Sequence, residues 1–297
     1  MSSYSYMALI TPKEKTPLAM SINEGTFLLG LLLGNLISGP IADATDISTL
    51  AYINAGFTLI PLIIVSVFMT DALSSSAVQH TWKDIIGIRH LLDAFKCILR
   101  KRQKWFRLLL ILAFLSYSFG LIAVHGSKSD YFLYFVKQRG MSLTEYSIFN
   151  SLMSALQSFG GPAILWVASK FDKQPINSIM MGACASMVFG YTVMAIDSIP
   201  YSAWIGCVLF CTQIAFFGEI HSYQTSLVEK DELGKMFAFV AIIQIVIGAA
   251  CSIGFKTLYA ATLTVWPAMF LVIAAGCFLF AMIVITLIDR IQALDTS

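Results

Sequence analysis

Charge is what this sequence has least of. Asp, Glu, Lys and Arg make up 12% of its 297 residues, against about 25% in soluble domains. The hydrophobic fraction of 58% and the mean hydropathy of +0.78 also lie far outside the soluble range. A soluble globular domain is excluded, and a membrane protein is implied. A net charge of +2 is too small to recruit nucleic acid or an acidic substrate. Histidine is scarce: His80, His90, His125 and His221 are the four, and none stands in HExxH or histidine-box spacing. The six cysteines form no CxxC or Cys/His metal pattern and read as small buried residues. No GxxxxGKS phosphate loop and no GxSxG elbow occurs. These absences point away from an enzyme, so no catalytic residue, metal or cofactor is expected. Residues 1–17 also lack the basic start and apolar run of a secretory signal.

What is present is a series of apolar runs. A spanning helix needs about 20 mostly apolar residues, and windows of that kind fall near 18–41, 48–70, 105–129, 144–168, 176–196, 201–226, 235–258 and 266–288. Helices are required, because a single segment in hydrocarbon must satisfy its own backbone hydrogen bonds; the alternation of an outer-membrane barrel is missing. The fold class is therefore all-α, a polytopic membrane bundle of about eight transmembrane helices. One long connection, 71–104, separates two spans from six. The division expected is residues 1–70, a basic cytoplasmic loop at 71–104, and a six-helix lobe at 105–297.

Orientation follows from the 19 lysines and arginines. A cytoplasmic N-terminus places fifteen of them inside, including "RKRQKWFR", and leaves Lys128, Lys137, Arg139 and Lys256 outside, as the positive-inside rule requires. Ile85, Ile88, Leu91, Leu92, Phe95, Ile98 and Leu99 recur at helical spacing within the loop. That segment is expected to lie on the inner leaflet with Arg89, Lys96 and Arg100 toward phosphates.

Ionisable groups inside apolar runs are costly and usually face a cavity or a partner. His125, Lys128 and Asp130 sit at the far end of one run, in "VHGSKSDYF". His125 exchanges protons near its ordinary pKa of about 6.5. Asp130 is five residues on, so it shares a face with His125 only if the helix breaks, and Gly126, Ser127 and Ser129 favour a break. An ion pair of Lys128 with Asp130, or of either with another helix, is the structural alternative. In "FFGEIHSYQTS", Glu219 shares a helix face with Thr212 and Tyr223, while His221 points elsewhere. Glu24 lies within the first apolar window, where it serves as a proton carrier or as a helix-start carboxylate. Gly30, Gly34, Ser38 and Gly39 recur four to five residues apart and suggest a close helix contact. Asn150, Gln157, Gln213, Gln244 and Tyr117 are further polar candidates for a path.

Three stretches carry a family resemblance: "VHGSKSDYFLY", "SLVEKDELGKMFA" and "FKTLYAATLTVWPAMFLV". Through them residues 18–290 resemble the last two thirds of the proton-coupled folate transporter family, solute carrier family 46, within the major facilitator superfamily. Ala260 stands where that family often has proline. "SYMALITPKEKT" looks like the end of a fourth span and its cytoplasmic loop. The resemblance implies a partial major facilitator fold whose helices are spans five to twelve, with the first four helices missing from this chain. It implies proton coupling at Glu24 and His125. His221 falls where the folate transporter carries an arginine, and a histidine offers a titrating single donor instead of a permanent bidentate fork.

The function expected is secondary active, proton-coupled symport of a small organic anion, folate-like or other. Glu24 and His125 carry the proton, and Lys128, Asp130, Thr212, Glu219, His221 and Tyr223 line the substrate path. The expected partners are the solute, protons, the bilayer and a missing N-terminal helical segment, without nucleic acid. A multi-pass protein of the plasma or endolysosomal membrane with both termini cytoplasmic is expected. The alternative is a truncated, non-transporting membrane protein or an incomplete gene-model fragment.

Overall fold

A computed structural model describes residues 3–12, 15–44, 88–100, 102, 105–170, 176–199 and 201–296, with isolated positions between 49 and 63. The described elements are helical. They are α1 (Ser3–Ile10), α2 (Thr16–Ala44), α3 (Ile88–Leu99), α4 (Phe106–Phe132), α5 (Leu143–Ala168), α6 (Ile176–Ala195), α7 (Ser202–Leu209), α8 (Gln213–Ser226), α9 (Leu233–Thr262) and α10 (Met269–Thr296). A π-helical turn, Leu133–Gln138, prolongs α4, and a 3-10 turn, Phe210–Thr212, joins α7 to α8 as one span.

Among the described residues six spans are long and apolar enough to cross a membrane: α2, α4, α6, α7 with α8, α9 and α10. The window at 144–168 forms α5, where Ser151, Ser154, Gln157 and Ser158 turn inward and lower its apolarity. The window at 48–70 lies largely outside the described residues. α5 starts at a capping box: the Glu145 amide donates to Ser142 Oγ at 3.1 Å, and the Ser142 amide donates to Glu145 Oε2 at 2.8 Å.

α10 packs between α4 and α6, and α9 packs on α4. The core there is aromatic, with Phe278 between Phe216 and Tyr191 at centroid distances of 5.7 and 6.0 Å. α2 packs on α5 and α8, and glycine allows it. Pro162 has no amide hydrogen to give the Ser158 carbonyl, and that carbonyl faces Gly25: a Cβ there would lie 2.6 Å from Ser158 O. Next to Pro162, Gly160 and Gly161 admit Cys211 and Ile214 to the same 2.6 Å. A Cβ on Gly30 or Gly34, which the sequence offered for a close helix contact, would meet nothing within 4 Å among the described residues. A recurring small residue permits approach but does not compel it. Nothing is described around the side chains of Ser38 and Gly39.

Polar clamps close both ends of the bundle. At the basic-segment end, Glu232 before α9 accepts from Arg100 Nη1 at 2.7 Å and from Arg102 Nη2 at 2.6 Å. Arg102 also reaches the Cys97 carbonyl at 3.2 Å, and burial pushes the Cys97 thiol up. These bonds dock α3 on α9. Arg100 is therefore committed to a carboxylate, where the sequence alone suggested a lipid phosphate. At the opposite end, Asp197 accepts from Tyr134 Oη at 2.8 Å and from Arg139 Nε at 2.8 Å. The same arginine donates to Ser202 Oγ at 2.6 Å.

Two outcomes follow for stability of the purified chain in detergent, read by thermal and chemical unfolding. Gly25→Ala overpacks the α2–α5 contact and costs about 1–3 kcal/mol, while Gly34→Ala stays within about 0.5 kcal/mol. Glu232→Ala strands the buried Arg102 and costs about 3 kcal/mol. Equal effects of the two glycine variants would refute the assigned contact.

Candidate functional site

The approach of α2 to α8 sets up the site. A Cβ on Gly218 would lie 2.8 Å from the Cβ of Ser21, so no larger residue fits at that crossing. Three residues on from each contact stand Glu24 and His221. Glu24 Oε1 lies 3.6 Å from His221 Nε2, an ion-pair distance whenever the imidazole is protonated. The Tyr4 hydroxyl of α1 donates to the same Glu24 oxygen. On its other side, His221 Nδ1 is 3.1 Å from Gln224 Oε1. An Nδ1–H donating to that amide oxygen leaves Nε2 to face the carboxylate.

Aromatic rings enclose the imidazole. Tyr117 of α4, Tyr4 of α1 and Phe237 of α9 have centroids 4.9, 5.2 and 6.0 Å from it. His221 is 1% exposed, and the Glu24 side chain is 20% exposed. The site thus draws on α1, α2, α4, α8 and α9, and it has one open edge at Glu24. With one proton between them the carboxyl and imidazole are neutral as a unit. Losing that proton leaves a net negative charge in apolar surroundings, and gaining a second creates a cation against aromatic rings. Proton number and local charge are therefore tied together here. Among the described residues no group of three His, Cys, Asp or Glu side chains gathers as a metal-binding cluster.

The other candidates occupy different places. His125 is half-buried on α4 and faces α9, with its Nδ1 4.0 Å from where a Cβ on Gly248 would stand. Lys128 is exposed. α4 stays helical through Asp130, so no break brings Asp130 beside His125. Asp130 is buried and accepts from Ser129 Oγ at 3.1 Å, and its Oδ1 has no hydrogen-bond partner among the described residues. No Lys128–Asp130 ion pair forms; the cation whose charge interacts with Asp130 is Lys256 of α9.

Thr212, at the end of the turn before α8, and Glu219 and Tyr223 of α8 follow one face but meet different surroundings. Thr212 lines an apolar groove of about 500 Å³ between α5 and α6. Glu219 is 3% exposed, and its Oε2 has no hydrogen-bond partner among the described residues. Tyr223 Oη accepts from Gln292 Nε2 at 3.1 Å, and Gln292 Oε1 accepts from Asn177 Nδ2 at 2.9 Å. That chain of bonds ties α8 to α10 and α6. Tyr4 and Gln224 are site residues that no sequence pattern singled out, and Phe237 entered only through the family-like stretch "SLVEKDELGKMFA". Their role comes from helix packing, and only Tyr117 had been noted as a polar residue on a path.

Glu24→Ala removes the acceptor of Tyr4 and the facing group of His221. It is expected to lower unfolding stability by about 1–3 kcal/mol, with Thr212→Val as a control within about 0.5 kcal/mol. Unchanged stability would mean that Tyr4 and His221 gain nothing from the carboxylate.

Comparison with known proteins agrees with this architecture. The family model described as Major Facilitator Superfamily matches residues 1–250. A curated relative from Drosophila melanogaster, described as a probable peptidoglycan muropeptide transporter SLC46, is 26% identical over 286 residues, covering 89% of this chain and 51% of the relative. The chain thus spans about half the length of the curated relative it matches.

Proposed function

The chain belongs to the major facilitator superfamily, and from that premise we propose that it works in a secondary active carrier moving a small organic anion together with protons. Superfamily membership and the six long apolar helices support a multi-pass membrane transporter. The observation that carries the finer reading is the contact of Glu24 with His221 at 3.6 Å inside a ring of aromatic side chains. We place the proton on this pair, with His125 further along α4 as a relay. In this reading residues 1–70 belong to one lobe, 71–104 form the cytoplasmic linker, and 105–297 form the second lobe.

An anion is favoured because the exposed Lys128 stands eleven residues, about three turns, beyond Tyr117 on the same side of α4. A muropeptide, the solute named for the Drosophila relative, has sugar hydroxyls and peptide carboxylates; folates and sulfated steroids also carry anionic groups. Protonation of the Glu24–His221 pair adds positive charge beside the open edge and favours the anion-bound state. Transport follows as a population shift between two arrangements of the lobes, each binding proton and solute with different affinity.

Uptake of radiolabelled anions into vesicles tests this. Uptake is expected to rise as external pH falls from about 7.5 to about 5.5, through the imidazole range. Glu24→Gln should flatten that dependence, and His125→Ala should alter its profile more than a surface substitution does. Uptake that is flat with pH would rule out the coupling. Absence of uptake for muropeptides, folates, sulfated steroids and small peptides alike would rule out an anion carrier.

A further inference from the structure

Four basic side chains are described around α3 and the start of α4, and they differ in their partners. Arg100 and Arg102 are both bound to Glu232. Arg107 has no carboxylate within ion-pair distance among the described residues, and Lys96, with its side chain 77% exposed, has only Asp93 at 3.8 Å. Beside these two cations runs a groove of about 470 Å³ between α3, α4 and α9, lined by Phe95, Leu99, Ile111, Leu115, Phe239 and Ile243 among others. Phe239 is held edge-on by Phe95 and Phe114, both at 4.9 Å. The hydroxyl of Ser118, also on the groove, is used on the Phe114 carbonyl at 2.7 Å. The wall is preformed and offers no free hydrogen-bonding group from that serine.

We propose that this groove seats one acyl chain of an anionic phospholipid from the leaflet facing the basic segment, with the headgroup phosphate held by Arg107 and Lys96. The inference rests on the bundle lying in a membrane and is independent of any transport reading. Arg107, Ile111 and Leu115 stand at i, i+4 and i+8 on α4, so they form one stripe that begins in charge and continues as the groove wall. Trp105 and Phe106 immediately precede the arginine and are 52% and 42% exposed, which suits the headgroup region where aromatic side chains collect. α3 lies across the mouth with Phe95 and Leu99 45% and 56% exposed, as an interfacial amphipathic helix does. A free anion would use the two cations and leave the groove empty. A zwitterionic lipid would fill the groove and bring an ammonium beside the cations. Only an anionic lipid matches both parts, and basic pockets between helices at such a membrane face recognise anionic headgroups.

The test is lipid retention by the full chain, purified in detergent and titrated with phosphatidylserine or phosphatidylcholine of identical chains, read by native mass spectrometry. One retained phosphatidylserine is expected, at higher affinity than phosphatidylcholine. Arg107→Gln and Lys96→Gln should each weaken it about fivefold, as befits about 1 kcal/mol per basic residue. Leu115→Trp, or Ile243→Phe if the first does not fold, should displace the lipid while leaving helix content unchanged, and inorganic phosphate should not compete. Equal retention of the two lipids, indifference to the groove variants, or full competition by inorganic phosphate would each overturn the proposal. None of these readings depends on uptake, so a failed transport assay would leave them standing.

Discussion

The distance at which α2 passes α5 and α8 is the constraint on which the candidate site depends. Gly25 meets a backbone carbonyl of α5, and Gly218 meets Ser21; at both crossings the missing Cβ sets how near the backbones come. In lipid, helices gain little from hiding carbon, since the solvent is carbon too, and close backbone contact supplies much of the association energy. That contact has a chemical by-product. Glu24 is the neighbour of Gly25, and His221 is three residues from Gly218, so packing delivers a carboxyl and an imidazole to each other in apolar surroundings.

Pro162 shows how the sequence makes such an approach. A proline inside a helix leaves the carbonyl four residues earlier without its amide. On a surface helix that is only a loss. In α5 the Ser158 carbonyl is turned toward a glycine, whose missing Cβ leaves room for it. The "GGP" sequence at 160–162 therefore serves two neighbours, with its glycines toward the 3-10 turn and the start of α8 and its proline acting through Ser158 on α2.

Much of the fold was legible in the sequence, because bilayer thickness and backbone satisfaction turn hydrophobic length into helices almost directly. α3 was legible through its periodicity, and Glu24 and His221 through the cost of putting them inside apolar runs. Their pairing was not, since no local spacing links helices so distant in the chain. Tyr4 was invisible for the same reason. The small-residue pattern at Gly30 and Gly34 attracted attention, while the glycine in use, Gly25, belongs to no pattern and is recognised only by the carbonyl opposite it. Glu232 looked like one acid in a polar turn until two arginines from a remote loop were seen on it. Polar side chains that organise several helices leave a weaker trace in sequence than carbon does.

The knot of Tyr134, Arg139, Asp197 and Ser202 bears on how such a bundle moves. It fastens the π-turn after α4 to the connection between α6 and α7, using side chains of both signs and two hydroxyls in one cluster. Helices stapled at their tips do not slide past one another singly. Any excursion at that rim carries α4, α6 and α7 together and leaves deformation to the glycine-lined seam with α2, where the restraints described are close backbone contacts and the approach of Glu24 to His221.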